Sequence, residues 1–357
     1  MAEHAPRRGR RLLSAAVSVA IVVAVFWYFL PQYTDVSKVW DYVRSMSWQS
    51  ELAIALAAAW NLCTYWFVNT STMPGLTVRQ AAVATESSTA VANTLPGGSA
   101  IGIALSFAMY GSWGFSKSRA AVSLTVSGIW NNFAKLGTPI LALALLAFSK
   151  PPSSGRIIAG VIGVVALAAS FVVFALLLRS DEWAERIGEG AGRAASRLLR
   201  LLHRSPAVGW GLAVRTFRRR TVGLVRVRWP WITLATVVSH LSLFGLLLTC
   251  LHAVGVSDAE VGWAEALVVF TFARLVTAIP VTPGGVGIVE VALITGLAAA
   301  GGARAQVAAA VLLFRALSYL LPIPLGLGTY LFWRQNKSWR RAPGTAPRPA
   351  GLQLDPV

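Results

Sequence analysis

The sequence is broken at Pro283-Gly284-Gly285, between two apolar segments that are each too short to cross a bilayer untilted. The segment before the break, 264–279, would extend about 24 Å as a helix, whereas the hydrocarbon core of a bilayer is about 30 Å thick. Non-helical backbone at membrane depth is tolerated only where it is buried in protein or lines a water-filled cavity. The sequence therefore predicts a broken helical hairpin whose tip lies inside a membrane protein.

The amino-acid composition also assigns the chain to the membrane. Of the 357 residues, 55% are hydrophobic and only 13% are charged, which is unusual for a soluble domain. The net charge of +18 comes mainly from arginines between the apolar runs, as the positive-inside bias predicts. Because no nucleic-acid-binding motif occurs, we expect no nucleic-acid partner. No residue set typical of a metal site, a cofactor site or an enzyme active site occurs, so we predict neither a cofactor nor an enzyme.

We predict an all-α integral membrane protein with about six full transmembrane helices and two short broken, re-entrant hairpins. The full spans are expected at 14–30, 52–69, 120–148, 157–178, 231–251 and 305–333. The predicted parts are a basic N-terminus (1–11), a membrane domain (12–335) and a disordered tail (336–357). The membrane domain is divided into a first repeat (about 51–148), a linker helix (157–178), an Arg-rich segment (179–230) and a second repeat (about 231–333). The basic segments predict a multi-pass protein of the cell membrane with both termini in the cytoplasm.

The Arg-rich segment 179–230 contains twelve arginines together with apolar residues at helical spacing. This pattern is typical of an amphipathic helix that lies on an anionic membrane surface. The alternative is a basic loop that only sets the orientation of the neighbouring spans.

A second break, Pro96-Gly97-Gly98, resembles the first, and the two halves of the chain align around these breaks. Arg119 and Arg304 each begin an Arg-Ala pair and lie 185 positions apart, and the same offset pairs Gly111 with Gly296. Each half reads as a span, a broken hairpin and a span, and the linker helix between them inverts the second half. Inverted repeats with broken helices are typical of alternating-access carriers. The alternative is that two such turns arose by chance.

Glycines and charged residues near the two breaks form the candidate site. Glycines allow a ligand to approach the main chain, and helices starting at Gly98 and Gly285 would direct positive dipole ends toward an anion. Ionisable residues inside apolar spans are functional candidates, or else buried ion pairs that fix helix packing. The predicted substrate-binding residues are Glu86, Gly97, Gly98, Arg274, Gly284, Gly285, Glu290 and Arg315. For Glu290 the packing alternative is a pair with Arg274 or Arg315. Lys135 and His240 are weaker candidates, whose alternatives are packing between spans and a satisfied core histidine.

The stretch Ile279–Glu290, preceded by Arg274 and followed by Arg315, resembles the flippase-like transmembrane domain of lysylphosphatidylglycerol synthases and their stand-alone relatives. The similarity extends over roughly 10–335 and centres on the pattern Pro-Gly-Gly-x-Gly-x-x-Glu. It implies a domain that moves aminoacylated phosphatidylglycerol between leaflets, and we expect a stand-alone member without the synthase domain. The chain departs from the family in its first half, where 99–106 contains no arginine.

These observations predict a protein that translocates a polar or anionic lipid. The headgroup phosphate would meet the helix starts at Gly98 and Gly285 together with Arg274 and Arg315, and Glu290 would orient an arginine or accept a cationic group or a proton. The predicted partners are membrane lipids. The alternative is a membrane scaffold or assembly partner for a cell-envelope enzyme, with 179–230 as its docking surface. A homo-oligomer is a further alternative.

Overall fold

The structure is a computed structural model that describes residues 41–95, 97–149, 154–179, 210–276, 283–342 and 344–346, with the isolated positions 182, 186 and 189. The predicted basic N-terminus, the span at 14–30, most of the Arg-rich segment up to 209 and the end of the tail lie outside these residues. Within the described ranges all of the longer regular elements are helices.

The helices are α1 (Trp48–Thr72), α2 (Val78–Thr94), α3 (Gly98–Ser112), α4 (Lys117–Ser149), α5 (Ser154–Arg179), α6 (Trp210–Ala253), α7 (Trp263–Val276), α8 (Ile288–Ala300), α9 (Arg304–Arg315) and α10 (Pro322–Gln335). A short 3₁₀ turn, Pro283–Gly285, precedes α8. A π-helical turn, Ala316–Leu320, joins α9 to α10, so that 304–335 forms one long helix with a widened middle.

Four helical stretches of the described chain are long and apolar enough to cross a membrane. They are Trp48–Thr72, Lys117–Ala147, Phe217–Ala253 and Arg304–Gln335. The prediction of a multi-pass helical membrane protein is therefore confirmed, whereas four rather than six spans meet these criteria within the described residues. The linker helix α5 exposes a row of isoleucines and valines, as expected for a helix that faces lipid.

Both predicted breaks separate pairs of short helices. The arms of the first hairpin, α2 and α3, contain 17 and 15 residues, and those of the second, α7 and α8, contain 14 and 13. At 1.5 Å per residue these arms are about 20–26 Å long, less than the thickness of a hydrocarbon core. Each hairpin is therefore too short to cross a bilayer upright with either arm.

The helices of the two halves pack against each other in a reciprocal manner. α1 packs along α6, which is the corresponding long helix of the second half. The first arm of each hairpin packs against the last helix of the opposite half, since α2 lies against α10 and α7 lies against α4. At the α2–α10 crossing Gly326 brings the α10 backbone against the Glu86 carbonyl, where a larger residue would not fit.

The open ends of the two hairpins lie at opposite ends of the long helix 304–335. The open end of the first hairpin lies beside the end of α10, because Trp333 Nε1 donates a hydrogen bond to Ser112 Oγ at 2.9 Å. We call this the basic end, defined by 113–119 and 334–341. The second hairpin opens beside the start of α9, near 254–262, which we call the loop end; there Gly301 lies against the Glu260 carbonyl. The hairpins thus enter the bundle from opposite ends.

Two predicted boundaries differ from the structure. The second half was expected to start at 231, but α6 already begins at Trp210, because the Arg-rich sequence continues the helix of the following span without a break. The tail was expected to be disordered from 336, yet its first part folds back on the basic end. Arg341 N donates to Ser112 O at 3.0 Å, and Trp339 packs edge-on against Trp113.

Candidate functional site

A cavity of about 690 Å³ lies where the tips of the two hairpins meet. Gly97 and Gly98 line it from the first hairpin, and Gly284 and Gly285 line it from the second. Tyr319, in the π-helical turn halfway along 304–335, also faces this cavity. The tips therefore meet near the middle of a helix that is long enough to span a membrane, far from both of its ends.

The cavity brings together most of the residues that the sequence singled out. The predicted residues that line it are Glu86, Gly97, Gly98, Arg274, Gly284, Gly285 and Arg315. Glu290 does not line the cavity, and lies instead directly behind Arg315. The residues of the two halves, which are distant in sequence, thus share one polar chamber.

Arg315 and Glu290 form an ion pair that is almost completely buried. Arg315 Nε donates to Glu290 Oε1 at 2.7 Å, and the two residues are 7% and 4% exposed. The same guanidinium donates from Nη2 to the Gly284 carbonyl at 3.1 Å and stacks on the ring of Tyr319 at 4.5 Å. The carboxylate therefore orients the arginine against the tip, as one of the predicted roles of Glu290 required.

Glu290 also occupies the start of the second helix of its hairpin. Its Oε2 accepts a hydrogen bond from Gly287 N at 2.8 Å. The sequence predicted a helix start at Gly285, but α8 begins at Ile288, because Gly284, Gly285 and Gly287 all adopt positive φ angles that no α-helix contains. The positive end of α8 is thus already neutralised by a carboxylate of the protein.

The corresponding helix of the first hairpin starts without such a carboxylate. α3 begins at Gly98, as predicted, and its N-cap residue Gly97 has a φ angle of 66° and provides no side-chain cap. Both glycines line the cavity. Since backbone N–H groups at a helix start attract anions, this end of α3 adds positive potential to the chamber.

Glu86 lies on α2 and is 4% exposed, so it is a buried residue of the chamber wall. Trp66 Nε1 donates to Glu86 Oε1 at 2.8 Å. Opposite Glu86, Arg274 and Lys135 line the cavity from α7 and α4. Lys135, which the sequence offered only as a weaker candidate, thus lines the chamber as well.

The lining charges favour an anionic ligand. Arg274, Arg315 and Lys135 provide three cationic groups, against the carboxylate of Glu86 in the lining and that of Glu290 behind Arg315, which leaves an excess of positive charge. Arginine binds phosphate through two parallel hydrogen bonds, and at membrane depth such a site is strengthened by the low dielectric of its surroundings. Within the described residues no group of three or more histidine, cysteine, aspartate or glutamate side chains could hold a metal ion.

Asn93 and Tyr319 connect the first tip to the long helix, and sequence reasoning missed both residues. Tyr319 Oη donates to the Asn93 carbonyl, and Asn93 Nδ2 donates to the Tyr319 carbonyl at 2.9 Å. A tyrosine four residues after Arg315 is placed to stack on it in a helix, which is the one signal the sequence offered.

Together, the helical fold and the central chamber define a multi-pass membrane protein with a charged binding cavity built from two broken hairpins. The model of the family described as the lysylphosphatidylglycerol synthase TM region matches residues 15–326. The chain belongs to this family. A search of curated proteins finds no match.

Proposed function

We propose that the protein carries an anionic or otherwise polar lipid between the two leaflets, with the headgroup in the central chamber. The observation that carries this proposal is the position of three cationic side chains, together with both hairpin tips, halfway along the helix 304–335. Carriers bind their substrate near the bilayer midplane, and a lipid headgroup that changes leaflets also has to pass the middle of the bilayer. The family supports a role in lipid or cell-envelope biology.

The proposal includes an inverted repeat that alternates access to the chamber. It is supported by the reciprocal packing of α2 on α10 and of α7 on α4, and by hairpins that open at opposite ends. In carriers of this kind the two halves rock about a fixed central site. The chamber would then open toward each end in turn as one hairpin moves against the other half.

Each charged residue has a proposed part in this mechanism. Arg315 and Arg274 bind the headgroup phosphate, and the uncapped start of α3 at Gly98 adds the contribution of its backbone N–H groups. Glu290 keeps Arg315 in the orientation that faces the chamber. Because each of these residues has a binding or orienting part only, we propose a transporter rather than an enzyme.

The orientation in the membrane follows from the distribution of arginines and lysines. The basic end contains Lys117, Arg119, Arg334, Arg340 and Arg341, whereas 254–262 at the loop end contains no lysine or arginine. By the positive-inside bias we propose that the basic end faces the cytoplasm of a cell membrane.

A leaflet-accessibility assay in proteoliposomes tests the proposed transport. The probe is phosphatidylglycerol with a fluorescent headgroup-side label that a membrane-impermeant reductant quenches in the outer leaflet. We expect the wild-type protein to make the inner-leaflet pool accessible, and Arg315→Ala and Glu290→Gln to slow this process at least about tenfold, the effect of losing a charged hydrogen bond.

Arg304→Ala is the matched control, because Arg304 begins the same helix but is exposed at the loop end. It is expected to transport at the wild-type rate. Unchanged rates in both chamber variants, with the protein folded, would remove the site assignment. Absence of lipid movement with the wild-type protein would contradict the transport function and favour a membrane scaffold.

A further inference from the structure

A second cavity of about 320 Å³ adjoins the central chamber and has a different chemical lining. We call it the side cavity, and it lies between α1, α2, α3, α4 and α6. Its polar lining residues are Tyr65, Asn69, Thr85, Ser88, Thr89, Ser99, Ser106, Ser127, Asn131, Thr236, Ser239 and His240. Among the described residues no aspartate, glutamate, lysine or arginine lines it, so its polar groups are hydroxyls, amides and an imidazole where the central chamber has charges.

The side cavity and the central chamber share part of their walls. Tyr65, Thr85, Thr89 and Ser99 line both cavities. A single ligand can therefore place a charged group beside Arg315 and an adjoining neutral group among the hydroxyls. At roughly 30 Å³ per water molecule, the side cavity has room for about ten waters or for a polyol of similar volume.

Three hydroxyl groups of the side cavity already donate their proton to a backbone carbonyl. Thr85 Oγ1 donates to the Ala81 carbonyl at 2.7 Å, Ser88 Oγ to the Thr85 carbonyl at 3.0 Å, and Thr236 Oγ1 to the Ile232 carbonyl at 2.7 Å. Each hydroxyl has one proton and two lone pairs, so these side chains have used their donor and keep acceptor capacity. These three hydroxyls can therefore accept hydrogen bonds from a ligand with several O–H groups, but they cannot donate to a phosphate.

Two polar atoms at this site make no hydrogen bond within the described chain. They are Ser239 Oγ, in a residue that is 2% exposed, and His240 Nε2, and both residues line the side cavity. A buried polar atom without a partner costs about 1–3 kcal/mol, so such atoms in native proteins usually meet water or a ligand. The pair on α6 is therefore available to a hydroxylated group that enters the cavity.

We propose that the side cavity binds the uncharged, hydroxyl-bearing part of a lipid headgroup, a polyol or a sugar that is attached to the phosphate in the central chamber. This inference rests on the proposed lipid-headgroup function and narrows its substrate class. Lipids with a glycerol, inositol or glycosyl group beyond the phosphate fill both cavities, whereas phosphatidate fills only the central chamber.

Binding of short-chain lipids to the full-length protein in detergent tests the inference. Phosphatidylinositol and phosphatidylglycerol are compared with phosphatidate by the shift in thermal unfolding temperature across a concentration series. We expect the hydroxylated lipids to bind roughly five- to tenfold more tightly, the value of one or two hydrogen bonds. Equal affinity for phosphatidate would overturn the inference.

Gly128→Leu fills the side cavity, because a Cβ atom at Gly128 meets nothing within 4 Å. We expect it to remove the preference for hydroxylated lipids and to leave phosphatidate binding unchanged. Gly245→Leu is the matched control on α6, since Gly245 has equally open space and lines neither cavity. Ser239→Ala, a change too small to disturb folding, should weaken only the hydroxylated lipids, by about threefold. If Gly128→Leu and Ser239→Ala each weaken the binding of all lipids equally, the inference is contradicted.

Free glycerol phosphate separates a lipid from a soluble source of the same chemistry. If it stabilises the protein as well as phosphatidylglycerol does at equal concentration, the assignment to a lipid headgroup is wrong. The leaflet assay separates this inference from the transport function. Selective binding of the hydroxylated lipids without movement between leaflets would leave the inference standing and contradict the transport proposal. If phosphatidate binds and moves as well as the hydroxylated lipids do, the transport proposal stands and the inference is wrong.

Discussion

The two hairpins share a backbone design but differ in charge. The first has a short turn, an uncapped helix start at Gly98 and a tip without any cation. The second has a longer turn whose helix start is capped by Glu290, its first arm presents Arg274 to the same chamber, and its tip is contacted by Arg315 of α9. The difference teaches that a bound anion would be held from one side by backbone dipoles and from the other by side-chain charges.

The largest difference should follow from removing Arg315. Arg315→Ala leaves the carboxylate of Glu290 buried without its cation, so we expect a loss of about 3–5 kcal/mol in the free energy of unfolding. The first hairpin contains no residue whose truncation leaves a comparable buried charge. Thermal or denaturant unfolding in detergent measures the effect.

A double variant separates the lost pair from the stranded charge. Arg315→Leu with Glu290→Leu should recover much of the stability, because a buried pair replaced by apolar side chains is often neutral, yet it should not restore lipid transport. Recovery of transport would show that the second hairpin does not act through its charges.

The next largest effect is a difference in the free energy of unfolding between alanine variants of the two tips. Gly284 and Gly97 have φ angles of 59° and 66°, so alanine at either position costs about 1–2 kcal/mol of backbone strain. A Cβ atom at Gly284 would also overlap the ring of Tyr319, whereas one at Gly97 meets nothing within 4 Å. We expect Gly284→Ala to destabilise the protein by about 1–3 kcal/mol more than Gly97→Ala. Equal losses of unfolding free energy would show that the second tip is not held against the π-helical turn.

A smaller effect compares the two carboxylates. Both oxygens of Glu290 accept hydrogen bonds, from Arg315 and from Gly287, and glutamine would bring its amide N–H against one of these donors. We expect Glu290→Gln to reduce the free energy of unfolding by about 2 kcal/mol. Glu86→Gln keeps an acceptor for Trp66 and should change the free energy of unfolding by less than about 0.5 kcal/mol.

The two carboxylate variants should also differ in ligand binding. Among the described lining residues Glu86 is the one carboxylate, and Glu86→Gln removes its charge, so we expect anionic lipids to bind about threefold more tightly. Weaker binding in this variant, measured by the same thermal shift, would mean that Glu86 contacts a cationic part of the ligand.

The smallest expected effect is a pH dependence of local stability that differs between the open ends of the two hairpins. Glu260 Oε2 accepts hydrogen bonds from Ser257 N and Oγ at 2.8 and 2.9 Å, and these bonds hold the pKa of Glu260 below its usual value of 4.5. A depressed pKa gives stability that is present above the unfolded-state value and is lost as the pH falls through the folded-state value. Acidification below 4.5 should therefore loosen the loop end.

The first hairpin begins with Thr77 and Gln80, which cap α2 reciprocally and do not titrate. Hydrogen exchange at 257–262 should rise on acidification while exchange at 77–80 stays constant, and Glu260→Gln should abolish the pH dependence. Parallel changes at both ends would point to a general acid effect.

The sequence located the site well where its chemistry is local. Pro-Gly-Gly breaks and charges inside apolar runs are visible without coordinates, which is why the sequence singled out both tips and Arg315, and the structure places these residues around one cavity. The start of α8 was wrong by three residues, since several consecutive glycines give no indication of which one ends the turn. The contact between Asn93 and Tyr319 joins residues 226 positions apart, and only the packing of α2 on α10 brings them together.

The charge of Lys135 could also not be placed from sequence. It lies on a long span whose interior-facing side is ambiguous until α7 packs against α4. For the same reason the start of α6 was missed, because arginines that suggested a surface segment are equally compatible with a helix that continues beyond the membrane.

The π-helical turn at 316–320 determines how one helix can serve both hairpins. Leu321 N donates to the Ala316 carbonyl at 2.8 Å, so the turn contains one residue more than an α-helical turn. One surplus residue rotates everything after it by roughly 100° relative to an unbroken α-helix. α9 packs against α6 and α8, while α10 packs against α2. The surplus residue thus sets the rotation of α10 relative to α9 about the helix axis. Deleting it would turn the α2-binding face of α10 away from α2, although the sequences of α9 and α10 would be unchanged.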